Sequence, residues 1–323
     1  MTPSDSNFES KDDTMLSDAD DNNGNTETNE NSVAIPLSAQ EQDAKTRAQI
    51  EAIDQEVREN QDLTSELFGI SKLSNDFSVG SADTSSNVGF RQGCDYLATQ
   101  YKSFRAVRGD GNCYYRAFLF ALVEDLSKTT TSTIEFNRIS QYVGASIEDV
   151  IKCGYDRFTI DMFHEEMVDL LSSVAKEREQ QGTASQSSIS KSLYDRLNEE
   201  NGTSDYCVWF LRVITAAYLK SDPSRFIHFL DDPSYIDVAT YCSKEIEPMG
   251  KECSMVGVLA LAEAFGINVH IEYMDGRPLD GTSAGTKKLV KHSFGLTHDG
   301  DPSDSTLSIT LLYRPGHYDI LYK

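Results

Sequence analysis

Residues 108–126, RGDGNCYYRAFLFALVEDL, hold the pattern that decides the fold. The segment Gly109–Gly111 predicts a tight turn, because glycine adopts backbone angles that other residues avoid. Asn112 is a good N-cap, which places Cys113 in the first turn of a helix. The apolar run that follows, AFLFALV, predicts that the body of this helix is buried and that its polar end faces a cleft.

Cys113 is the candidate nucleophile of this stretch. A thiol in the first turn lies against the positive end of the helix dipole and beside unpaired backbone N–H groups, and both favour the thiolate. The same N–H groups, with those of the glycine-flanked turn, are suited to bind a developing oxyanion. The alternative is a buried structural cysteine after an ordinary loop, which is how Cys207 is interpreted.

A thiolate nucleophile needs a base, and of the six histidines His317 is the best candidate. It follows the turn signal Arg314–Gly316 and opens the last strand, in which alternate residues share a face. His317 and Asp319 therefore point the same way, so that the carboxylate can bind one imidazole nitrogen and leave the other to face a thiol. The alternative is a strand edge with solvated polar residues. His164 and His228 are expected to be packing or surface residues.

The period of the apolar residues changes along the chain. The last sixty or so residues contain INVHIEYM, TKKLVKHSF, TLSITLLY and HYDILY, which are rich in Ile, Val, Leu and Tyr and predict strands. Helices followed by a small sheet indicate the α+β class. The helices are predicted at Cys113–Ser127, Thr133–Cys153, Thr159–Glu177, Ser188–Glu199, Ser204–Lys220 and Ser254–Phe265.

Four segments are expected. Residues 1–40 hold nine acidic residues and one basic residue, with few apolar side chains, and predict a disordered acidic tail. Residues 41–62 predict an amphipathic helix with a thin apolar stripe, which packs weakly on the body or meets a partner. Residues 63–93 are expected to be a linker or loop, with 71–93 as loop, and residues 94–323 the catalytic domain.

The composition narrows the function. The chain has 323 residues, with 29 basic and 52 acidic side chains and a formal net charge of −23. Such a chain repels nucleic acid and anionic membranes, which excludes both as expected partners. A basic protein partner is favoured, with solubility alone as the alternative. The start of the chain lacks a secretory pattern, and the scattered cysteines are expected to be free thiols in the cytoplasm or nucleus.

The two motifs together resemble a known family. GDGNCYYRAF resembles the cysteine motif of the ovarian-tumour-domain (OTU) deubiquitinases, and LLYRPGHYDILYK is similar to the histidine motif of their otubain branch. Between them, FTIDMFHEEMVDLL, TSDYCVWFLRVITAAYLK and EPMGKECSMVGVLALAEAFGINVHIEYMD also resemble otubains. The likeness runs in order from about Tyr101 to Lys323.

The resemblance implies a papain-like cysteine protease that hydrolyses bonds to the ubiquitin C-terminus, often isopeptide bonds between ubiquitins. By motif position, Cys113 is the nucleophile, His317 the general base and acid, and Asp319 the orienting carboxylate. Asp110 lies in the loop that shapes the oxyanion site. The resemblance implies neither a metal nor a cofactor.

The resemblance also implies partners, and it leaves alternatives. Ubiquitin and polyubiquitin chains are the expected substrates, and residues 41–62 resemble the arm with which otubains touch a second ubiquitin or a ubiquitin-conjugating enzyme. The chain departs from the family at Tyr114, where phenylalanine is expected, and at Ser254–Gly257, which lacks histidines found in animal otubains. The alternatives are a non-catalytic binder that restrains ubiquitin-conjugating enzymes and an unrelated cysteine hydrolase acting on a small molecule.

Overall fold

The computed structural model describes residues 39–75, 85–181, 189–230, 232, 234–279, 288–295 and 307–323. The chain divides into two compact units, residues 1–48 and 49–323. Of the first unit, only the helical residues 39–48 are described. The predicted acidic tail lies outside the described residues up to position 38, so its disorder stays a prediction.

Helices make up most of the described chain. They are α1 (Ala39–Asn60), α2 (Ser71–Asn75), α3 (Ser85–Gln100), α4 (Cys113–Ser127), α5 (Thr133–Lys152), α6 (Arg157–Gln181), α7 (Lys191–Leu197), α8 (Thr203–Ser221), α9 (Pro223–Phe226), α10 (Val238–Tyr241) and α11 (Met255–Phe265). A 3-10 turn at Ile227–Phe229 follows α9, and a π-helical turn at Cys242–Ile246 follows α10.

The predicted helices of the middle region are confirmed, with ends that differ by a few residues. The bounds of α4 agree with the prediction at both ends. The side chain of Ser254 caps α11, and Gly266 ends it in the left-handed conformation, at φ 60°. A residue without a Cβ adopts this conformation at little cost, which is why the glycine marks the helix stop.

The strands of the described residues form one mixed sheet. They are β1 (Phe68–Gly69), β2 (Ser103–Arg105), β3 (Asn268–Tyr273), β4 (Val290–Phe294), β5 (Ser308–Arg314) and β6 (His317–Tyr322). Their order across the sheet is β1-β2-β6-β5-β3-β4, and β3 and β5 pair in parallel while the other neighbours are antiparallel. The last strand therefore lies inside the sheet, between β2 and β5.

Both faces of β6 are covered. On one face Tyr318 and Ile320 pack in the main core with α4, and the ring centroids of Tyr114 and Tyr318 lie 5.3 Å apart. On the other face Leu321 packs in a second cluster that includes Leu97 of α3. This packing brings the first turn of α4 to the beginning of β6.

The prediction of loop over residues 71–93 is wrong where the structure describes it, because α2 and the first half of α3 lie there. Gly89 and Gly93 concealed the helix, since glycine is a poor helix former. Tertiary packing requires them. A Cβ at Gly89 would lie 1.9 Å from the Gly276 carbonyl oxygen, and one at Gly93 would lie 2.5 Å from the Met274 sulfur.

The sheet is also larger than the sequence predicts. The strands β1 and β2 precede α4 and the helices that follow it, and they extend the sheet by pairing with one another and, through β2, with β6. They have two and three residues, which is too short for a period-two pattern to appear. The α+β class is confirmed. The sheet, however, combines two strands from before α4 with four strands from the last part of the chain.

No helix in the described part of the chain is both long enough and apolar enough to cross a membrane.

Candidate active site

The structure brings Cys113, His317 and Asp319 together. Cys113 is the first residue of α4 and is 2% exposed. The His317 Nε2 atom lies 2.9 Å from Asp319 Oδ1. The Cys113 thiol is a neighbour of the same imidazole and raises its pKa, and the Nδ1 atom of the ring faces Gly109 of the preceding turn, where an added Cβ would lie 3.7 Å away. One ring therefore links the sulfur to the carboxylate across more than two hundred residues of sequence.

The environment of His317 favours its charged form. Burial by itself lowers the pKa of His317, because it removes water from the imidazolium. Hydrogen bonds to Asp319 and to Cys113, together with their negative charge, outweigh burial and raise the pKa to about 9. The imidazole is therefore able to hold a proton at neutral pH and to give it to a leaving group.

Asp319 is fully buried, at 0% exposure. Besides His317, it accepts hydrogen bonds from the Val107 backbone N–H at 3.0 Å and from Arg314 Nη2 at 2.5 Å. Burial alone would raise the pKa of Asp319, but the hydrogen bond from His317 and the charge of Arg314 hold it below its usual range. The alternative of a solvated strand edge is wrong here, because a carboxylate at a solvated edge would be exposed.

Asp110 holds the turn before the cysteine. Its Oδ1 atom accepts the Asn112 backbone N–H at 2.9 Å, and its Oδ2 atom accepts Arg116 Nη2 at 2.5 Å. Arg116 is itself buried and donates to Asp205 Oδ1 at 2.9 Å and to Ser204 Oγ at 3.1 Å. The Asp110 side chain therefore connects the turn to both α4 and α8.

Asn112 occupies the N-cap position of α4, but the expected capping bond is absent from this described segment. Its backbone angles, φ −102° and ψ 1°, are not the extended ones typical of a cap. Its Oδ1 atom instead accepts the Gly250 N–H at 2.9 Å and Arg212 Nη2 at 2.8 Å. The first-turn N–H groups of α4, which lack helical acceptors, are consequently left uncapped beside the sulfur.

Close packing and backbone conformation require glycine at Gly111 of the turn. Gly111 has φ 73°, and a Cβ there would lie 2.1 Å from the Gly250 carbonyl oxygen. Gly250 also has a positive φ, 77°. Both positions favour glycine, because L side chains rarely adopt this conformation.

A cleft of about 560 Å³ opens beside the imidazole. Its walls combine apolar side chains and backbone with a few polar groups. They are formed by Gln61, Phe90, Ala106, Val107, Gly109, Arg314, Pro315 and His317. Of the candidate groups, the imidazole lines this cleft. A thiol, an imidazole held by a buried carboxylate and an uncapped helix N-terminus are the groups that acyl transfer through a thioester requires.

The other cysteines and histidines have structural surroundings. Burial raises the pKa of Cys242 and of Cys253 to about 12, and Cys207 is a core residue as predicted. His164 bonds to the Val143 carbonyl oxygen at 3.0 Å. His298 lies outside the described residues. Within the described ranges, no group of three or more His, Cys, Asp or Glu side chains could hold a metal ion.

The arginines that hold the site were not predicted from the sequence. Arg116 and Arg212 are both buried, and Arg314 binds the buried carboxylate. A signal was present for the first two, since each is a charged residue within an apolar stretch of its helix. A buried charge is costly unless it is paired or hydrogen-bonded, so such a residue merits the same scrutiny as a cysteine at a helix start.

Comparisons with known proteins agree on one family. A sequence model described as Peptidase C65 Otubain matches residues 56–323. The human protein named ubiquitin thioesterase OTUB1 is 34% identical over 281 residues, which cover 87% of this chain and 90% of that protein. A protein of Arabidopsis thaliana, named OVARIAN TUMOR DOMAIN-containing deubiquitinating enzyme 1, is 34% identical over 232 residues, covering 70% of this chain and 71% of that protein.

A solved structure shares the fold. The h/ceOTUB1 chain in a complex with ubiquitin aldehyde and UBC13~Ub aligns with a TM-score of 0.70 and 28% identity, covering 87% of this chain and 98% of that one. The resemblance noted from the motifs, the OTU fold and the enzyme class are thereby confirmed. The chain belongs to the otubain family of cysteine-type deubiquitinases.

Proposed function

We propose that this chain hydrolyses isopeptide bonds at the ubiquitin C-terminus through Cys113, His317 and Asp319, with Asp110 shaping the oxyanion site. The observation that carries the proposal is the imidazole of His317, which lies 2.9 Å from the buried Asp319 carboxylate and whose pKa is raised by both Asp319 and Cys113. The uncapped first turn of α4 adds backbone donors beside the sulfur.

The geometry supports a two-step reaction. His317 takes the proton of the Cys113 thiol, the thiolate sulfur attacks the C-terminal carbonyl carbon of ubiquitin, and the carbonyl electron pair moves to an oxyanion that the first-turn N–H groups stabilise. As the oxyanion collapses and the carbon–nitrogen bond breaks, His317 donates this proton to the leaving lysine amine, and a thioester remains. His317 then takes a proton from water, the hydroxide adds to the thioester carbonyl, and the carbon–sulfur bond breaks to release the ubiquitin carboxyl group and the Cys113 thiolate, which His317 protonates again. Asp319 holds the ring in position throughout.

Charge and relatives support ubiquitin and polyubiquitin chains as partners. The net charge of −23 favours a partner with a basic recognised face. The solved relatives were captured with ubiquitin aldehyde and with the conjugates UBC13~Ub and UBCH5B~Ub. We therefore propose that this chain also binds ubiquitin and ubiquitin-conjugating enzymes.

The test is labelling by ubiquitin that carries a C-terminal electrophile. We expect one covalent adduct on the wild-type chain and none on Cys113→Ala. The matched control is Cys153→Ala, which removes a half-buried thiol from another part of the fold and should leave labelling intact. Labelling of Cys113→Ala, or no labelling of the wild-type chain, would reject the proposal.

A second candidate function is restraint of ubiquitin-conjugating enzymes without cleavage, which the UBC13~Ub complexes of relatives favour. Residues 1–48 form a separate unit, whereas Gln61 accepts hydrogen bonds through its backbone oxygen from Arg108 near the active site. Deletion should therefore stop at residue 48. The role would be supported if this deletion weakened binding of a charged conjugating enzyme to Cys113→Ala and, made in the chain that keeps Cys113, left probe labelling intact. Unchanged binding would count against it.

We further propose that the protein acts in the cytoplasm or nucleus, because Cys113 must stay reduced to act as a nucleophile. The division into an acidic tail, a helical arm, a connecting segment and a catalytic domain is also part of the proposal. Microscopy of the tagged chain tests the cellular location, and limited proteolysis tests the division into segments.

A further inference from the structure

Arg212 is a buried cation whose charge is met by neutral oxygens. It belongs to α8, is 0% exposed and stacks over the Tyr115 ring, with the guanidinium carbon 4.4 Å from the ring centroid. Its hydrogen bonds go to three backbone carbonyls and one side-chain amide. Among the described residues it forms no ion pair, although arginine keeps its charge in proteins. Burial lowers the pKa of Arg212, which shows that this placement is costly.

The bonds of Arg212 join two segments. Arg212 Nη2 donates to the Gly111 carbonyl at 2.9 Å and to Asn112 Oδ1 at 2.8 Å, on the turn before Cys113. The other bonds go to the carbonyls of Ile246, at 2.9 Å from Nη1, and Lys251, at 2.6 Å from Nη2. The guanidinium therefore fastens the turn to the segment after α10.

This connection determines what the Asn112 side chain does. Asparagine at an N-cap ordinarily accepts an N–H of the first helical turn. Here Arg212 Nη2 and the Gly250 N–H, at 2.8 and 2.9 Å, engage its Oδ1 atom. A capping oxygen would neutralise part of the positive helix end and would stand where an oxyanion needs to bind. The bonds from Arg212 and Gly250 keep that oxygen away.

We propose that Arg212 is a positioning residue that holds the turn before Cys113 and keeps the first turn of α4 uncapped for the oxyanion. The inference rests on the proposed function, since it concerns the same reaction. Arg212 acts through Gly111 and Asn112 and does not touch the substrate. Its contribution is therefore to the transition state and not to ubiquitin binding.

The experiment compares wild-type and Arg212→Lys full-length chains on a fluorogenic ubiquitin substrate and with iodoacetamide. Lysine keeps the charge but lacks the planar fork that reaches several carbonyls. We expect kcat to fall roughly 10- to 100-fold, because misplaced oxyanion donors have effects of this size. KM and the alkylation rate of Cys113 should change less than about threefold, because alkylation forms no oxyanion.

Two outcomes would overturn the inference. An unchanged kcat would remove Arg212 from the reaction. A parallel fall of kcat and the alkylation rate would assign its effect to the thiol. A wild-type chain that cleaves no ubiquitin substrate would instead contradict the proposed function, so the two failures are distinguishable.

A second pair of variants avoids altering the buried arginine. Asn112→Ser and Asn112→Ala both lose the bonds to Arg212 and Gly250, but only serine is a good N-cap. We expect the serine variant to melt at a higher temperature and yet to have a kcat roughly three- to tenfold below that of the alanine variant. A serine variant as fast as the alanine variant would contradict the capping argument.

Discussion

The site has a strand side and a loop side, and the two are held in different ways. The strand side consists of Arg314, His317 and Asp319, and the loop side consists of Asp110, Gly111 and Asn112. The strand side lies on one hairpin, β5 and β6, where the pleat places His317 and Asp319 on the same face. The loop side is held by Arg116 and Arg212, which come from α4 and α8.

The difference concerns charge as well as topology. On the strand side Arg314 and His317 both meet the Asp319 carboxylate, so the buried charges are paired. On the loop side Arg116 is paired with Asp110 and Asp205, while Arg212 is satisfied by neutral oxygens. We infer that the strand side supplies proton transfer and the loop side supplies oxyanion geometry, and that damage to each should show in different measurements.

The largest expected effect is that of His317→Ala. This variant removes the group that moves the proton in both steps, so kcat/KM should fall roughly a thousandfold or more. The free energy of unfolding should fall by about 1–3 kcal/mol at neutral pH, because the pairing of the imidazole with Asp319 is lost. Steady-state kinetics and a thermal melt check both statements. If kcat/KM fell less in His317→Ala than in Asp319→Ala, the roles of the two residues on the strand side would be misassigned.

Asp319→Ala should lower activity less but destabilise the fold more. The aspartate positions the ring and does not move the proton, so we expect roughly a 10- to 100-fold loss in kcat. Its removal leaves the half-buried Arg314 guanidinium and the Val107 N–H without their carboxylate acceptor, which costs about 2–4 kcal/mol of unfolding free energy. Denaturant titration of His317→Ala and Asp319→Ala shows which variant has the lower free energy of unfolding. A more stable aspartate variant would contradict this account.

Asp110→Asn and Asp110→Ala separate two functions on the loop side. Asparagine keeps an acceptor for the Asn112 N–H but loses the ion pair with Arg116, whereas alanine loses both. We expect kcat to fall roughly threefold for asparagine and roughly tenfold or more for alanine, because the turn controls the oxyanion donors. Steady-state kinetics on the fluorogenic ubiquitin substrate measures kcat for both variants. Equal losses would assign the whole effect to the ion pair.

The pH dependence of stability should report the strand side. The folded pKa of His317, about 9, lies above the unfolded value of about 6.5. Its pairing therefore stabilises the fold fully below about pH 6.5, and this contribution is lost as pH rises through about 9. The difference in unfolding free energy between wild type and His317→Gln should shrink by about 1–3 kcal/mol over that range. Urea titrations at several pH values test this, and a growing difference would refute it.

The smallest effect is expected away from both sides of the site. Lys191 and Asp195 form an ion pair on α7, with side chains that are 86% and 54% exposed. Lys191→Ala should leave kcat unchanged, because exposed pairs contribute little and α7 carries no group of the site. Its melting temperature and kinetics serve as the baseline for the other variants. A lower kcat in Lys191→Ala would show that a region outside the strand side and the loop side also contributes to activity.

The sequence predicted the elements whose signals are local. The bounds of α4 follow from a turn, a helix start and an apolar run that adjoin one another. The stop at Gly266 follows from one residue type at one position. Helix α3 was missed because Gly89 and Gly93 suit contacts with the segment after β3, and no local pattern reveals such contacts. Strand β2 was missed because its partner β6 lies more than two hundred residues away, and β1 was missed because it pairs with β2.

The sequence alone determined where the thiol stands on its helix and that His317 and Asp319 share a face, because helix and strand periodicity depend on neighbours along the chain. Only the tertiary structure decided that Asp319 is buried against Arg314, that Asn112 is turned away from the helix it begins, and that Arg212 is what turns it. These features depend on contacts between distant segments, and burial changes the free energy of a charge far more than its position in the sequence reveals.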